Sequence, residues 1–250
     1  MIYGYSERGI FNSIIYYLDL RRPDLIGAFI GTLGVEGFTE GEHKFTFLNE
    51  QSFSDFGDND LTIIIDEDKA NKTVVFCEGK VKTYTGKYDL EKEKNKIKNA
   101  KVPFNGFSSN IFVQLYYKFL LQKAINSSEE DTRNLKIDDI YKKKNRVGKI
   151  VERSIGDNGV VRKACERIKA TNYYYVALLP TIKKRKDFQE MFEEVNQNLK
   201  EKMEIKNISC VYWGDIREFF EDKKDATLIH ENFRYNETLK DEKTQSQIYS

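Results

Sequence analysis

The spacing of apolar residues predicts the first half of the fold. Apolar positions between Ile10 and Leu18 repeat with the period of a helix, with Ser6 as the expected N-cap and Pro23 beyond the end. Alternating or β-branched runs predict three strands, at residues 43–49, 60–66 and 73–84. Because a short polar turn separates the second run from the third, we expect these two strands to form a hairpin.

The second half alternates between helical and strand patterns. A long amphipathic helix is expected at 108–125, capped by Ser108 or Ser109. Further helices are predicted at 157–170, 187–203 and 215–222, and strands at 172–180 and 208–215. The glycine-rich segment 27–42 is interpreted as a loop or an irregular strand, and the charge-dense segment 89–101 as a solvated connector.

The order of these elements predicts the fold class. A helix, three strands, a helix, a helical insert, a strand, a helix and a strand follow one another, which indicates an α/β protein with a mixed sheet covered by helices. We expect a single domain over 1–236, with a helical and basic insert at about 127–170 and a flexible polar tail at 237–250.

Composition narrows the class of protein. The chain has 250 residues, of which 40% are hydrophobic and 32% charged, and its net charge is +1, so a globally basic DNA-coating protein is not expected. Cys77, Cys165 and Cys210 form no Cys-x-x-Cys pair, and His43 and His230 are the two histidines, so neither a disulfide framework nor a zinc site is predicted. Unpaired thiols favour a reducing, cytoplasmic location. The absence of any apolar run approaching about 18 residues argues against a membrane partner.

Candidate chemistry lies at the end of the third predicted strand. Glu78 and Lys80 are two residues apart, so both side chains point to the same face of the sheet. Asp60 opens the preceding strand of the hairpin, and the start of one strand lies across from the end of the next. Two carboxylates that converge in this way suit Mg²⁺ or Mn²⁺, which prefer oxygen ligands, and a nearby lysine can orient a water or neutralise charge at phosphorus.

The motif Asp60…Glu78-Gly79-Lys80 resembles that of the PD-(D/E)XK nuclease superfamily. The core of that family is a helix, three strands, a helix and a strand, which matches the predicted order from about residue 5 to about 180. Two further positions add to the resemblance. Glu7 lies on the first helix, and Gln114 and Tyr117 form a Gln-x-x-Tyr motif on the later helix, as in the RecB-type and phage-exonuclease branch.

The resemblance implies a restriction-endonuclease-like fold, αβββαβ with a C-terminal αβ extension, and a role for each matching residue. Asp60 and Glu78, with the Gly79 carbonyl, are expected to hold Mg²⁺ or Mn²⁺. Lys80 is expected to act on the attacking water. Glu7 is expected to bind a metal-held water or a second metal, and Gln114 to position Lys80 or the substrate phosphate.

The chain departs from the family pattern at two positions. Asn59 stands where a proline is usual before the aspartate, and Gly79 stands where an apolar residue is more usual. A glycine there loosens the strand or lets another group approach the backbone closely. Asp58 and Asp66 are nearby alternatives to Asp60, although Asp66 falls near the far end of its strand.

A basic run suggests contact with a nucleic acid. The predicted phosphate-binding residues are Lys142, Lys143, Lys144, Arg146 and Lys149. The expected function is therefore a Mg²⁺-dependent deoxyribonuclease acting in restriction, repair or defence. RNA stays open as a substrate, and paired cuts on duplex DNA would favour a homodimer.

Other interpretations fit the same residues. The chain could keep a nuclease fold without turnover, as a nucleic-acid-binding or scaffold module. It could also be an unrelated α/β protein in which Glu78 and Lys80 pair on a solvent-facing strand end. Taken singly, Glu7 suits an exposed first helical turn, Gln114 a surface position, and the basic run a solvated loop.

Overall fold

A five-stranded β-sheet lies at the centre of the fold. The computed structural model describes residues 6–38, 43–81, 88–98, 109–127, 135–137, 155–180 and 188–238. The strands are β1 (Phe45–Ser52), β2 (Asp58–Ile65), β3 (Thr73–Gly79), β4 (Asn172–Leu179) and β5 (Ile208–Tyr212). They lie side by side in chain order, with β1, β2 and β3 antiparallel and β3, β4 and β5 parallel. The predicted mixed sheet is confirmed.

Helices cover both faces of this sheet. In the described ranges they are α1 (Ser6–Leu20), α2 (Ile26–Thr32), α3 (Leu90–Lys98), α4 (Ile111–Ser127), α5 (Gly159–Arg167), α6 (Phe188–Asn196), α7 (Trp213–Glu221) and α8 (Thr227–Thr238). One apolar core joins the sheet to α1, α2, α7 and α8, and a second joins its other face to α3, α4, α5 and α6. The protein is thus an α/β fold with three layers.

Side chains of β3 alternate between the two cores. Val75 and Cys77 pack on the α1 side, and Val74 and Phe76 pack on the α4 side. Since successive side chains of a strand point to opposite faces, Glu78 shares the α4 side. Every residue of β3 is buried, as expected for a strand with neighbours on both edges and helices on both faces.

The predicted hairpin is formed by β2 and β3. Their register pairs Leu61 with Cys77 and Ile65 with Thr73. The predicted strand at 73–84 is longer than the one observed, because β3 ends at Gly79 and residues 82–87 lie outside the described part.

The interpretation of 27–42 as a loop or strand is wrong for its first part. Residues Ile26–Thr32 form α2, in which Ile26, Phe29 and Ile30 are buried. These three residues have helical spacing and face the core, so tertiary packing outweighs the low helix propensity of the glycines between them.

The interpretation of 89–101 as a solvated connector is also wrong. Leu90–Lys98 is the helix α3, and its Leu90 and Ile97 are buried one heptad apart. Its Lys94 is buried as well, with Nζ 3.1 Å from Glu91 and 3.0 Å from Glu194. Two apolar residues are enough to hold this charged helix against the core.

Several element ends differ from the prediction. The helix expected at 187–203 ends at Asn196, and the last strand ends at Tyr212 because Trp213 begins α7. The helix α8 was not predicted at all.

None of the helices in the described ranges is long and apolar enough to cross a lipid bilayer.

The predicted N-cap of α4, Ser108 or Ser109, is wrong, because Asn110 caps this helix. Asn110 Oδ1 accepts hydrogen bonds from the backbone N–H groups of Phe112 and Val113 at 3.0 and 3.3 Å. Its side-chain N–H group donates to the Glu93 carbonyl at 2.9 Å, which ties α4 to α3. An asparagine satisfies both sides of this junction, whereas a serine hydroxyl is too short to do so.

Replacing Asn110 therefore tests the position of the cap. We expect Asn110→Ala to lower the free energy of unfolding by about 1–2 kcal/mol, because two buried N–H groups lose their acceptor. Ser109→Ala, an exposed neighbour, is the matched control and should change it by less than about 0.5 kcal/mol. Urea unfolding measures both. A larger loss in the Ser109 variant would place the cap where the sequence pattern predicted it.

Candidate active site

Asp60 and Glu78 meet at one end of the sheet. Continuing the register beyond Leu61 and Cys77 sets Asp60 opposite Glu78. Asp60 Oδ2 accepts a hydrogen bond of 2.7 Å from the backbone N–H of Gly79, so the aspartate is fixed against the end of β3. The convergence that the sequence predicted is present in the structure.

The Glu78 side chain is fully buried. Both of its carboxylate oxygens lie out of reach of solvent, and neither has a hydrogen bond of normal geometry within the described part of the chain. Burial is the main reason that the pKa of Glu78 rises from 4.5 to about 7. The positive charges of Lys118 and Lys80 oppose this rise, and the negative charge of Asp60 adds to it. Glu78 therefore does not lie on a solvent-facing strand end, and that interpretation of it is wrong.

A buried lysine that was not predicted lies against Glu78. Lys118 on α4 places Nζ 3.2 Å from Glu78 Oε1, and both side chains are only 1% exposed. The two groups form a buried ion pair. Lys118 Nζ also donates to the Phe56 carbonyl at 3.1 Å, in the turn before β2.

The sequence contains a signal for this lysine. Lys118 interrupts an apolar run on α4 and follows Gln114 by four residues, so both lie on one helix face. A lysine on the buried stripe of a helix almost always has an anionic partner. Glu78 follows as that partner once α4 is packed on the face of the sheet that carries Glu78.

Backbone hydrogen bonds fix the position of Lys80. Its N–H donates to the Leu178 carbonyl at 2.8 Å, and its carbonyl accepts from Trp213 Nε1 at 2.8 Å. The Lys80 side chain is half-buried, and its charge is near enough to lower the pKa of Glu78. Trp213 is a core residue that also anchors the strand end carrying the candidate site.

Glu7 reaches the same strand end from the opposite face of the sheet. It lies in the first turn of α1 and is half-buried. A methyl group at Gly79 would lie 3.0 Å from Glu7 Cβ, 3.1 Å from Trp213 Cζ2 and 3.2 Å from Phe11 Cε2. Glycine is thus required here because three side chains press against the backbone, which was one of the two predicted reasons.

Gln114 lies on the α4 side, one helical turn before Lys118. Its Oε1 is buried and accepts no hydrogen bond from any residue that the structure describes. Gln114 is therefore half-buried, and within the described part of the chain its Oε1 is an unused acceptor. Tyr117, the other residue of the Gln-x-x-Tyr motif, is buried in the core, and burial raises its pKa to about 12.

The two alternatives to Asp60 lie elsewhere. Asp66 is at the far end of β2, where Oδ2 lies 2.7 Å from His43 Nδ1 and Oδ1 accepts from the Lys44 N–H at 3.1 Å. These contacts stabilise a turn. Asp58 is exposed, and the buried Asn59 donates to the Leu61 carbonyl at 2.6 Å. Asp60 is the carboxylate of this segment that faces Glu78.

The donor set suits a hard divalent cation that keeps part of its water shell. Mg²⁺ commonly takes only one or two protein carboxylates, with waters and substrate oxygens completing the site. Asp60 and Glu78 supply two carboxylates, and among the described residues the Lys118 ammonium is the cation that lies against the buried Glu78 oxygens. No three His, Cys, Asp or Glu side chains among the described residues converge to hold a metal alone. Glu7 therefore does not complete a three-carboxylate cluster.

The basic run lies outside the described residues, so Lys142, Lys143, Lys144, Arg146 and Lys149 remain predicted phosphate contacts. The tail beyond residue 238 and most of the predicted insert also fall outside the described ranges.

Comparisons of the chain with protein-family models, with curated proteins and with solved structures found no match.

Crowding at Gly79 leads to a stability prediction. We expect Gly79→Ala to lower the free energy of unfolding by about 1–3 kcal/mol, since the new methyl must displace Glu7, Phe11 or Trp213. Gly31→Ala is the control, because Gly31 lies in α2 with open space around it and should gain up to about 1 kcal/mol. Thermal unfolding compares the two. A Gly79→Ala protein as stable as the wild type would mean that α1 does not press on β3.

Burial of Glu78 leads to a pH prediction. A carboxyl whose pKa is higher in the folded than in the unfolded state binds more protons when folded, so its contribution to stability is lost as pH rises. Between about pH 4.5 and 7 the wild type should lose of the order of 3 kcal/mol relative to Glu78→Gln. Urea unfolding across this range measures the difference. Glu218→Gln, at an exposed position on α7, should run parallel to the wild type, and parallel curves for Glu78→Gln would contradict the prediction.

Proposed function

We propose that this protein is a metal-dependent nuclease that hydrolyses phosphodiester bonds of DNA. The observation that carries the proposal is the meeting of Asp60 with the buried Glu78 at the strand end that continues into Lys80. Burying a carboxylate without hydrogen bonds costs free energy, so such a group indicates a functional site more strongly than a surface carboxylate would.

Each group has a role in the proposed hydrolysis. Asp60 and Glu78, together with the Gly79 carbonyl, would hold Mg²⁺ or Mn²⁺, which would supply positive charge beside the scissile phosphate. Lys80 orients the attacking water and offsets the charge that develops on phosphorus. The water oxygen bonds to phosphorus and releases one proton, the bond from phosphorus to the 3′ oxygen breaks, and the 3′ oxygen takes up one proton, so the net reaction consumes one water. The product keeps a 5′-phosphate, by analogy with the PD-(D/E)XK family.

The topology supports the family resemblance. The helix α1, the antiparallel strands β1 to β3, the helix α4 and the parallel strand β4 follow the order of the PD-(D/E)XK core. The restriction-endonuclease-like classification is part of this proposal, with α6 and β5 as the C-terminal extension. Glu7 and Gln114 lie on the two helices that carry the matching residues in that family. Restriction, repair and defence all suit such an activity.

A second candidate is a catalytically silent module with the same fold that binds nucleic acid. The observation that favours it is Lys118, whose ammonium already lies 3.2 Å from Glu78 Oε1. A protein that keeps the pair Glu78–Lys118 as a purely structural contact needs no metal ion. The two candidates differ in whether DNA is cut or only bound.

Nuclease assays with Mn²⁺ distinguish the metal-dependent nuclease from the silent nucleic-acid-binding module. Linear, circular and single-stranded DNA and single-stranded RNA are offered to the wild type, Asp60→Asn and Lys80→Met. We expect the wild type to cut DNA and both variants to lose at least about 100-fold in rate, since each removes a group that acts in the transition state. Asp58→Asn, on the same strand but exposed, should retain the wild-type rate.

Three results would count against the proposal. Equal cleavage by the wild type and Asp60→Asn would indicate a contaminating enzyme or a different site. DNA binding without cleavage would favour the silent module. Cleavage of RNA alone would change the substrate class while leaving the site in place.

A further inference from the structure

Lys118 is buried in the middle of α4 at a position where an unpaired cation would be costly. Its side chain is 1% exposed, and its neighbours along the helix, Leu115 and Leu121, are fully buried in the apolar core. Lysine is almost never fully buried unless it is paired, because removing an ammonium from water requires compensation from nearby anions or acceptors. The position of Lys118 therefore depends on what its ammonium contacts.

The ammonium connects the two strands that carry the candidate ligands. It donates to the Phe56 carbonyl, which lies in the turn leading into β2 and Asp60, and it lies against Glu78 on β3. An ammonium group has three protons and accepts none, so it satisfies the carbonyl and still faces the carboxylate. It thus occupies one side of the Glu78 carboxylate.

The charges at this strand end balance without any metal ion. Asp60 and Glu78 are anionic when ionised, and Lys80 and Lys118 are cationic, with the charges of Asp60, Lys80 and Lys118 all acting on Glu78. A divalent cation that binds Glu78 meets the Lys118 ammonium at short range and in a medium of low dielectric constant. Like charges in such surroundings repel strongly.

We propose that Lys118 competes with a divalent cation for the Glu78 carboxylate, so that this lysine weakens metal binding at the Asp60–Glu78 pair. The inference rests on the proposed function, because it concerns the same metal site. Lys118 is a positioning residue in this account, since it is shielded from solvent and acts through Glu78. Gln114 Oε1 lies on the same helix face and is a buried acceptor to which no described residue donates, so it is available to an ammonium that leaves Glu78.

A purely structural ion pair makes a different prediction. In that case, loss of Lys118 lowers stability, and metal ions change nothing. Competition predicts instead that loss of Lys118 increases the affinity for the metal, because the cation that opposes it is gone. Metal binding therefore distinguishes the two, independently of any nuclease activity.

The test is a calorimetric titration of Mn²⁺ into the wild type, Lys118→Met and Lys118→Gln, with thermal shift as a second readout. All proteins are titrated in the same buffer and at the same pH. We expect both variants to bind Mn²⁺ at least about 10-fold more tightly than the wild type and to gain a larger thermal shift. Lys123→Met is the matched control, since Lys123 lies on the same helix but pairs with Glu201 at the surface. It should bind as the wild type does.

The double variant Asp60→Asn, Lys118→Met should lose the tighter Mn²⁺ binding that is expected of Lys118→Met alone. Lys118→Gln keeps an N–H group that can donate to the Phe56 carbonyl. If Lys118→Met folds poorly, the Mn²⁺ affinity of Lys118→Gln is compared with that of the wild type. If neither variant folds alone, refolding with Mn²⁺ replaces the titration, and recovery supports the inference whereas its absence overturns it.

Equal or weaker Mn²⁺ binding in the Lys118 variants would overturn the inference. If the wild type still binds Mn²⁺ through Asp60 in that case, the proposed function stands and only the competition is lost. Absence of Mn²⁺ binding in the wild type and in both variants would overturn the competition and the metal site together.

Discussion

The ion pair of Glu78 and Lys118 is the contact on which the rest of the candidate site depends. Both groups are removed from water, so each would be costly without the other. The pair joins β3 to α4, and the bond from Lys118 to the Phe56 carbonyl extends the link to the start of β2. Loss of either charge leaves the other buried and unpaired, and this constraint holds α4 over the strand end where the two carboxylates and Lys80 lie.

The sheet supplies the second constraint. Antiparallel pairing of β2 with β3 sets Asp60 against Glu78, and the hydrogen bond from the Gly79 N–H to Asp60 fixes the aspartate there. On the other face, Glu7, Phe11 and Trp213 pack so closely on Gly79 that even a methyl group there would have to displace one of them. Trp213 also donates a hydrogen bond from Nε1 to the Lys80 carbonyl. One strand end thus joins α1, α4 and α7.

Much of this arrangement could be predicted from local pattern. The β-branched runs of β2 and β3 and the polar turn between them fix a hairpin, and period-two alternation then sets Glu78 and Lys80 on one face. Local pattern marks Lys118 as a lysine within an apolar helical run, but its partner Glu78 could not be predicted in this way, because the contact depends on how α4 packs on the sheet. The helices α2 and α3 were missed for a related reason, since glycine in one and charge in the other mask the few apolar residues that pack on the core. The cap at Asn110 depends on its bond to α3 and not on helix sequence alone.

The central claim is that Asp60 and Glu78 together form a divalent-metal site. The most direct test is a crystal structure with Mn²⁺, in which anomalous scattering locates the ion without any assumption about activity. The account predicts one anomalous peak between the Asp60 and Glu78 carboxylates, with no peak there in Asp60→Asn crystals. A peak elsewhere, or the Lys118 ammonium still against Glu78 with no ion bound at saturating Mn²⁺, would contradict it.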